Sequence, residues 1–436
     1  MYFHGTRYMK KTFYIENLGC AKNQVDAEVI AADLINKGYE CINDKENAVK
    51  KADIIIVNTC AFIESAKKES IEVFFELNAQ KKKSAKMIIT GCLGQRYKDE
   101  LIKEIPEAFM ISGVPLIPST SRGDRLFSKK GTAYVKILEG CNHRCAFCAI
   151  PLIRGPLVSI SKEEIIKETV RLTQSGVKEI NLIGQDLASY GCDKYKKSML
   201  TDLLKSLSSI DGDFIIRCLY IHPDFFPSDI ISVIQRSNGK ILPYFDIPLQ
   251  HASKDILKVM HRAHTKEYYL NLIKNIRSSF DECYIRTTYL LGFKNESKDT
   301  LEELKDFIEE SSLDAASFFE YSKEEGTEGE KMMSDDEIKA MRPLVKRYKK
   351  KLENLQDKIS SSRLSRFVGT IQDVLVEEKI EGTSMYFAHI PFQCPDTDGT
   401  VVLSNPFDSD DPLVVGEKYK AKITKVNNLD LEAQKM

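Results

Sequence analysis

The stretch Glu139-Gly-Cys141-Asn-His143-Arg-Cys145-Ala-Phe147-Cys148-Ala-Ile-Pro151 decides the reading of this chain. Three cysteines, spaced Cys-x₃-Cys-x₂-Cys, lie in one short loop directly after a β-like run, Tyr134-Val-Lys-Ile137. Three thiolates are one short of the four that close a tetrahedral zinc site or an iron–sulfur cluster. A metal held by three keeps a position open for chemistry. His143 offers a fourth donor for zinc, but it is wedged between the cysteines, an awkward place in a tetrahedral site.

Downstream of the loop, the sequence predicts strands over 179–183, 214–219, 244–247, 284–288 and 315–319, with helices between them at about 161–175, 253–260 and 298–310. With the run before the loop, this makes six βα units, a partial and open version of the βα barrel. Chemistry in such folds sits at the carboxyl ends of the strands. Those ends carry Cys141, Gly184-Gln185-Asp186, His222-Pro223, Gln250-His251, Gly292-Phe293 and Glu320-Tyr-Ser322. The expectation is a polar rim above an apolar barrel.

Upstream, strand and helix patterns also alternate. Strands are expected at 12–17, 52–58 and 86–90, and helices at about 24–37, 62–80 and 95–104. This βαβ rhythm predicts a small doubly wound parallel sheet. Each of its strands runs into a cysteine: Leu18-Gly-Cys20, Asn58-Thr-Cys60 and Thr90-Gly-Cys92. Parallel strands place their carboxyl ends on one edge, so three residues distant in sequence are expected to converge there. Buried cysteines are also common as small hydrophobes. Threefold repetition at strand ends favours a shared metal site.

Composition bounds the rest. The chain has 436 residues, 42% hydrophobic and 29% charged, with a formal net charge of −1. That is an ordinary globular balance, with no global field favouring nucleic acid or membrane. No apolar run is long enough to span a bilayer, and the N-terminus lacks a signal-peptide core. Eleven cysteines in a chain expected to be cytoplasmic point to metal binding rather than disulfides. Cys41, Cys192, Cys218, Cys283 and Cys394 follow no partner pattern and read as structural or incidental. Nothing in the sequence demands more than a monomer.

Residues 330–361 are highly charged and periodic and read as a solvated linker helix. Beyond them, short β-like runs at 367–371, 374–376, 400–403 and 419–426 predict a small antiparallel β-barrel. Residues 361–436 hold twelve Asp/Glu against eight Lys/Arg. Asp408, Asp410 and Asp411 cluster there, whereas a phosphate-binding surface should be basic. An acidic barrel suits a basic protein partner. The domain reading is therefore 10–114, a linker at 115–131, a partial barrel at 132–329, a linker helix at 330–361 and a β-barrel at 362–436.

The Cys141-x₃-Cys145-x₂-Cys148 loop after a first barrel strand resembles the radical S-adenosylmethionine superfamily. From about residue 10 to the end, the chain resembles its methylthiotransferase branch. The matching motifs are Gly19-Cys-Ala-Lys-Asn23, Asn58-Thr-Cys-Ala-Phe62 and Gly91-Cys-Leu-Gly-Gln-Arg96, with a C-terminal TRAM, OB-like domain. The resemblance implies that Cys141, Cys145 and Cys148 hold a [4Fe-4S] cluster whose fourth iron is chelated by S-adenosylmethionine, the source of a 5′-deoxyadenosyl radical. It implies a second [4Fe-4S] cluster on Cys20, Cys60 and Cys92 that carries the inserted sulfur. Phe147 would shield the first cluster or pack by the adenine. Gln185 or Asp186, after Gly184, would contact the methionyl amine. Gln250 and His251 would face the same mouth, and Gly292 would let the adenine approach. Each of these also reads as an ordinary strand-end turn residue, and no catalytic group beyond the cluster ligands is assigned.

Within the branch, Cys148-Ala-Ile-Pro-Leu-Ile-Arg-Gly155, Gln185-Asp-Leu-Ala-Ser-Tyr-Gly191, Asp246-Ile-Pro-Leu-Gln-His-Ala-Ser253 and Arg286-Thr-Thr288 resemble the enzymes that act on a ribosomal protein. The implied reaction is β-methylthiolation of an aspartate of small-subunit ribosomal protein twelve, served by unidentified electron and sulfur donors. The alternative is 2-methylthiolation of an adenosine in transfer RNA; a non-enzymatic iron–sulfur carrier or zinc scaffold explains less. Two departures stand out. Gly292-Phe-Lys-Asn-Glu296 replaces the usual Gly-Phe-Pro-Gly-Glu, which is expected to reshape that turn. The C-terminal barrel also diverges around Thr383-Ser-Met-Tyr-Phe-Ala-His-Ile390.

Overall fold

A computed structural model describes residues 10–115, 129–406 and 410–436. Most of the expected linker at 115–131, and Asp408, lie outside the described residues. Contacts divide the chain into two compact units. One combines the described residues up to 115 with Ala149–Gly155. The other combines Lys129–Cys148 with Pro156–Met436.

The first unit is a five-stranded parallel sheet of β1 (Thr12–Asn17), β2 (Glu40–Cys41), β3 (Ile54–Thr59), β4 (Lys86–Gly91) and β5 (Met110–Ile111). Its order is β2-β1-β3-β4-β5. The run Ile54-Ile-Ile-Val-Asn-Thr59 is buried from its second residue onward, as a parallel strand covered on both faces must be. Helices Ala21–Asn36, Glu64–Gln80 and the pair Cys92–Arg96 and Lys98–Glu104 connect the strands. The core gathers Ile55, Val57, Phe74, Leu77 and Ile89. It also takes in Ala149 and Ile153, the N-cap residue and a buried member of the short helix Ile150–Arg154 just past the cysteine loop. Strand order reverses between β1 and β3, the switch point where sheets of this kind bind ligands.

The second unit begins with β6 (Thr132–Lys136) and a small hairpin of β7 (Leu138–Glu139) and β8 (Val158–Ser159). Then follow β9 (Glu179–Ile183), β10 (Ile215–Cys218), β11 (Ile241–Asp246), β12 (Tyr284–Leu291) and β13 (Ala315–Glu320). The parallel sheet runs β13-β12-β11-β10-β9-β6 and leaves β6 and β13 as its edges, an open half-barrel. Helices Lys162–Gln174 and Lys298–Ser311 start at serine capping boxes, Ser161 and Ser297. Each serine satisfies N–H groups that the first helical turn leaves without partners.

The helix Asp335–Leu364 is expected from the sequence to be a solvated linker, and here the structure differs. Val345, Tyr348, Leu352 and Leu364 are buried along it. With the buried Gln356 and Ser360 between Leu352 and Leu364, they recur at three- and four-residue steps as one buried stripe, hidden in composition by the many charged residues around it. Tyr348 donates to Glu302 at 2.6 Å.

The half-barrel is not apolar throughout either. Glu179, Asn181, Arg217, Asp246 and Arg286 are all buried in its strands. Arg217 bonds to Glu179 at 3.1 Å and Asn181 at 3.0 Å. It also donates to the carbonyls of Pro391 and Gln393, at 2.9 and 3.0 Å, and stacks on Tyr244. Tyr244 donates to Asp398 at 2.6 Å, and His389 lies 2.9 Å from Glu179. Polar groups from residues 389–398 thus complete a buried network that the strands alone would leave unsatisfied.

Those residues belong to a closed barrel of β14 (Ile371–Lys379), β15 (Met385–His389), β16 (Val401–Ser404), β17 (Lys418–Asn427) and β18 (Asp430–Lys435), ordered β14-β15-β16-β18-β17. Four pairs are antiparallel, as expected, but β16 and β18 are parallel. Five strands cannot alternate direction around a closed ring, so one pair must be parallel. Among the described residues no helix is long and apolar enough to cross a membrane.

Candidate functional site

In the first unit, β1, β3 and β4 deliver Cys20, Cys60 and Cys92 to one edge. Thr59 pairs with Gly91 in register, so Cys60 and Cys92 leave adjacent strands at the same level. Asn23, fully buried, holds the group together. Its amide donates to the carbonyls of Leu18 and Thr59, at 3.0 and 2.8 Å. Its Oδ1 lies 3.8 Å from Cys20 Sγ and 3.6 Å from Cys92 Sγ. Gly91, at φ +86, lets the chain turn tightly from β4 into Cys92. Burial pushes the Cys60 thiol up to about 11, with Cys92 and Cys20 adding to the rise. Burial also raises Cys92, against the pull of Arg154.

In the second unit, backbone hydrogen bonds pin the Cys141–Cys148 loop. Ala146 N–H donates to Met260, and its carbonyl accepts from Gly329 at 2.6 Å. Asn142 accepts from Leu157 N–H at 3.0 Å. The three cysteines are half-buried. Burial pushes the Cys141 thiol up to about 11. The side chain of His143 is engaged by other groups: its Nε2 lies 2.7 Å from Asp186 Oδ2, and its ring stacks on Phe225. His222 Nε2 lies 4.0 Å from Cys145 Sγ and is hydrogen-bonded by Arg262. Burial, with Arg262 beside it, holds this imidazole well below its ordinary pKa and hence neutral.

The expected rim residues divide in their roles. Phe147 packs edge-to-face on Phe293. A side chain at Gly184 would meet Leu138 at 2.8 Å, so this glycine serves close packing. The Gln185 amide donates to Glu139, while its Oε1 is buried with no partner among the described residues. That atom remains able to accept from a bound cation. Asp186 is more committed: Ala188 N–H, His222 N–H and the Ser189 hydroxyl all donate to it, besides its bond with His143. Gln250 takes φ +69 and bonds through its backbone to Thr288 and Leu290. His251 is fully buried, accepts from Ser253 N–H at 2.9 Å and faces Glu296 at 3.4 Å. Gly292 packs close to Val345 of the long helix. The turn after it keeps its left-handed residue: Asn295 adopts φ +66 where the resembling motif has glycine, a conformation asparagine tolerates. Sequence reading missed Arg262, Ser189 and Phe225.

Among the described residues no three His, Cys, Asp or Glu side chains converge tightly enough for a single metal ion. The trios, each carried on rigid strand ends or a pinned loop, suit a polynuclear group, in which each thiolate binds its own iron. The buried, unpartnered Gln185 oxygen in the second unit fits an amine-bearing co-substrate there.

An open parallel half-barrel with three thiols in the loop after its first strand defines a radical S-adenosylmethionine protein, and the Radical SAM superfamily matches residues 135–308. Residues 12–113 match the Uncharacterized protein family UPF0004, and residues 368–435 match the TRAM domain. The fold is similar to the radical S-adenosylmethionine methyltransferase TsrM from Kitasatospora setae, with TM-score 0.52 at 12% identity over 71% of this chain and 73% of that one. Ribosomal protein uS12 methylthiotransferase RimO of Caldicellulosiruptor saccharolyticus is 39% identical, covering 95% of this chain and 97% of that protein. RimO of Thermotoga maritima is 40% identical, covering 89% and 92%. The chain belongs to the RimO family of ribosomal protein uS12 methylthiotransferases.

Proposed function

We propose that this chain methylthiolates the β carbon of an aspartate in ribosomal protein uS12. The observation that carries the reading is the placement of two three-thiol sets at the carboxyl ends of two parallel sheets. Cys141, Cys145 and Cys148 would hold one [4Fe-4S] cluster, and Cys20, Cys60 and Cys92 a second. When bound, the first with S-adenosylmethionine supplies the hydrogen-abstracting radical, and the second supplies the sulfur. The chain's own part is positional. Gln185 Oε1 would accept from the methionyl amine, Phe147 would pack beside the cluster, and the Asp186–His143 pair fixes the loop's middle.

The C-terminal barrel supports a protein substrate over transfer RNA. Lys418, Lys420, Lys425 and Lys435 each face a carboxylate, on Asp213, Asp373, Glu432 and Asp411. Lysines paired in this way contribute little to phosphate binding. The enzyme would act in the cytoplasm as a monomer, with separate electron and sulfur donors. Mass spectrometry of uS12 from a strain lacking the gene tests the reading. Loss of a methylthio-aspartate is expected; an unchanged modification, or loss of methylthioadenosine from transfer RNA instead, would overturn it.

A further inference from the structure

Arg154 lies six residues beyond Cys148 in sequence, yet it sits within the first unit. Its side chain and that of Asp26 are each only 2% exposed, and they pair at 2.9 Å through Nη1. The other arm of the guanidinium is committed to the thiol edge. Nη2 donates to Asn23 Oδ1 at 2.7 Å and to Cys92 Sγ at 3.2 Å. Asn23 in turn approaches the sulfurs of both Cys20 and Cys92.

A buried ion pair is a poor way to gain stability, because desolvation offsets most of its attraction. This one aims a fixed, planar set of N–H donors at sulfur. Arginine suits that geometry because it is always charged, weakly hydrated and rigid in its fork. Hydrogen bonds to cluster sulfurs, net charge and burial set the reduction potential of an iron–sulfur group. Groups that orient metal ligands typically change metal affinity or activity about 10- to 100-fold when lost.

We propose that Arg154 is a positioning residue for the iron–sulfur group on Cys20, Cys60 and Cys92: its N–H···S bond to Cys92 fixes that ligand and raises the group's reduction potential. The inference rests on the reading that this trio binds a cluster. One-electron reduction adds negative charge to the cluster, and the adjacent guanidinium stabilises the reduced form over the oxidised one. Asp26 holds the guanidinium in place from the far side.

The test uses the full chain carrying Cys141→Ala, Cys145→Ala and Cys148→Ala, so that only one cluster remains, reconstituted with iron and sulfide. If this protein binds no iron, the cluster reading of the trio fails, and the proposal fails with it. If it binds iron, resonance Raman spectra in H₂O and D₂O come first. Iron–thiolate stretches that shift on deuteration are expected with Arg154 present, and no shift would overturn the proposal without any substitution there. Arg154→Lys and Arg154→Gln are then titrated by spectroelectrochemistry. A more negative midpoint, loss of the deuterium shift and about 10- to 100-fold weaker iron retention against a chelator are expected. A folded, iron-loaded Arg154→Gln with unchanged midpoint and spectra would reduce Arg154 to a structural ion pair and overturn the assignment.

Discussion

His143 and Asp186 meet at 2.7 Å, with the imidazole drawn from the middle of the cysteine loop to the end of β9. The carboxylate is held by three further donors, so it orients the ring rather than waiting for a ligand. Asp186→Asn should lower 5′-deoxyadenosine formation about 10- to 100-fold while leaving the iron content near normal. His143→Phe should reproduce the loss if Asp186 works through that ring. A large loss in Asp186→Asn alone would instead assign the carboxylate to direct contact with S-adenosylmethionine.

The two trios should be separable. The Cys20, Cys60 and Cys92 triple alanine variant should lose about half of the bound iron and keep 5′-deoxyadenosine formation after anaerobic reduction. The Cys141, Cys145 and Cys148 variant should lose both the other half and the nucleoside product. Neither should modify uS12. Iron analysis with Mössbauer spectroscopy checks the assignment, and retention of both clusters by either variant would refute it.

Gly91 makes a prediction about the first unit alone. An alanine Cβ there would lie 2.6 Å from the Thr59 carbonyl oxygen, at a φ of +86. Gly38 has a similar φ of +88 and nothing within 4 Å. Gly91→Ala should cost about 2–5 kcal/mol from strain and overpacking combined. Gly38→Ala should cost only about 1–2 kcal/mol. Denaturant unfolding followed by circular dichroism gives the comparison; equal costs would mean that β3 yields easily beside Gly91.

His389 gives a pH dependence. Burial alone would lower its pKa, but Glu179 and Glu377 outweigh that and raise it from 6.5 to about 8. Arg217, on the far side of Glu179, and Lys129, beside Glu377, complete the charged surroundings. A folded pKa above the unfolded one stabilises fully below about pH 6.5, and that contribution disappears as pH rises through 8. The second unit should therefore lose on the order of 2 kcal/mol between pH 6 and 9. His389→Gln should flatten that slope, and an unaltered slope in the variant would place the titration elsewhere.

Much of this was legible in the residues. Strands β3 and β4 are parallel and largely buried, so Ile54-Ile-Ile-Val57 and Met87-Ile-Ile89 are continuous apolar runs that lead within three residues to Cys60 and Cys92. The edge strands β2 and β5 are two residues long and carry no such run. The six βα units imply a helix between each pair of strands, but the sequence reading sets no bounds for Leu200–Ser208, Ile230–Arg236 and Lys266–Ser279, although their buried leucines and isoleucines have the helical period. At the site, cysteines announce themselves by spacing, whereas Arg154 and Arg262 are arginines among many. What distinguishes them is a partner 62 or 40 positions away, which only the fold supplies. Arg154 does stand in a family-like segment, Ile-Pro-Leu-Ile-Arg, but nothing in that segment says that it reaches a thiol of the other trio.

The segment Ala149–Gly155 has a last consequence, for synthesis. Ala149 and Ile153 fill the core of the first unit, so that core cannot be completed when the chain has grown only to residue 115. At about 5–20 residues per second, the ribosome needs roughly 2–8 s more to add the missing piece. Through that interval the nascent N-terminal sheet is left with a gap in its core and three thiols exposed at its edge. A chaperone or an early-arriving metal donor would find its opportunity there.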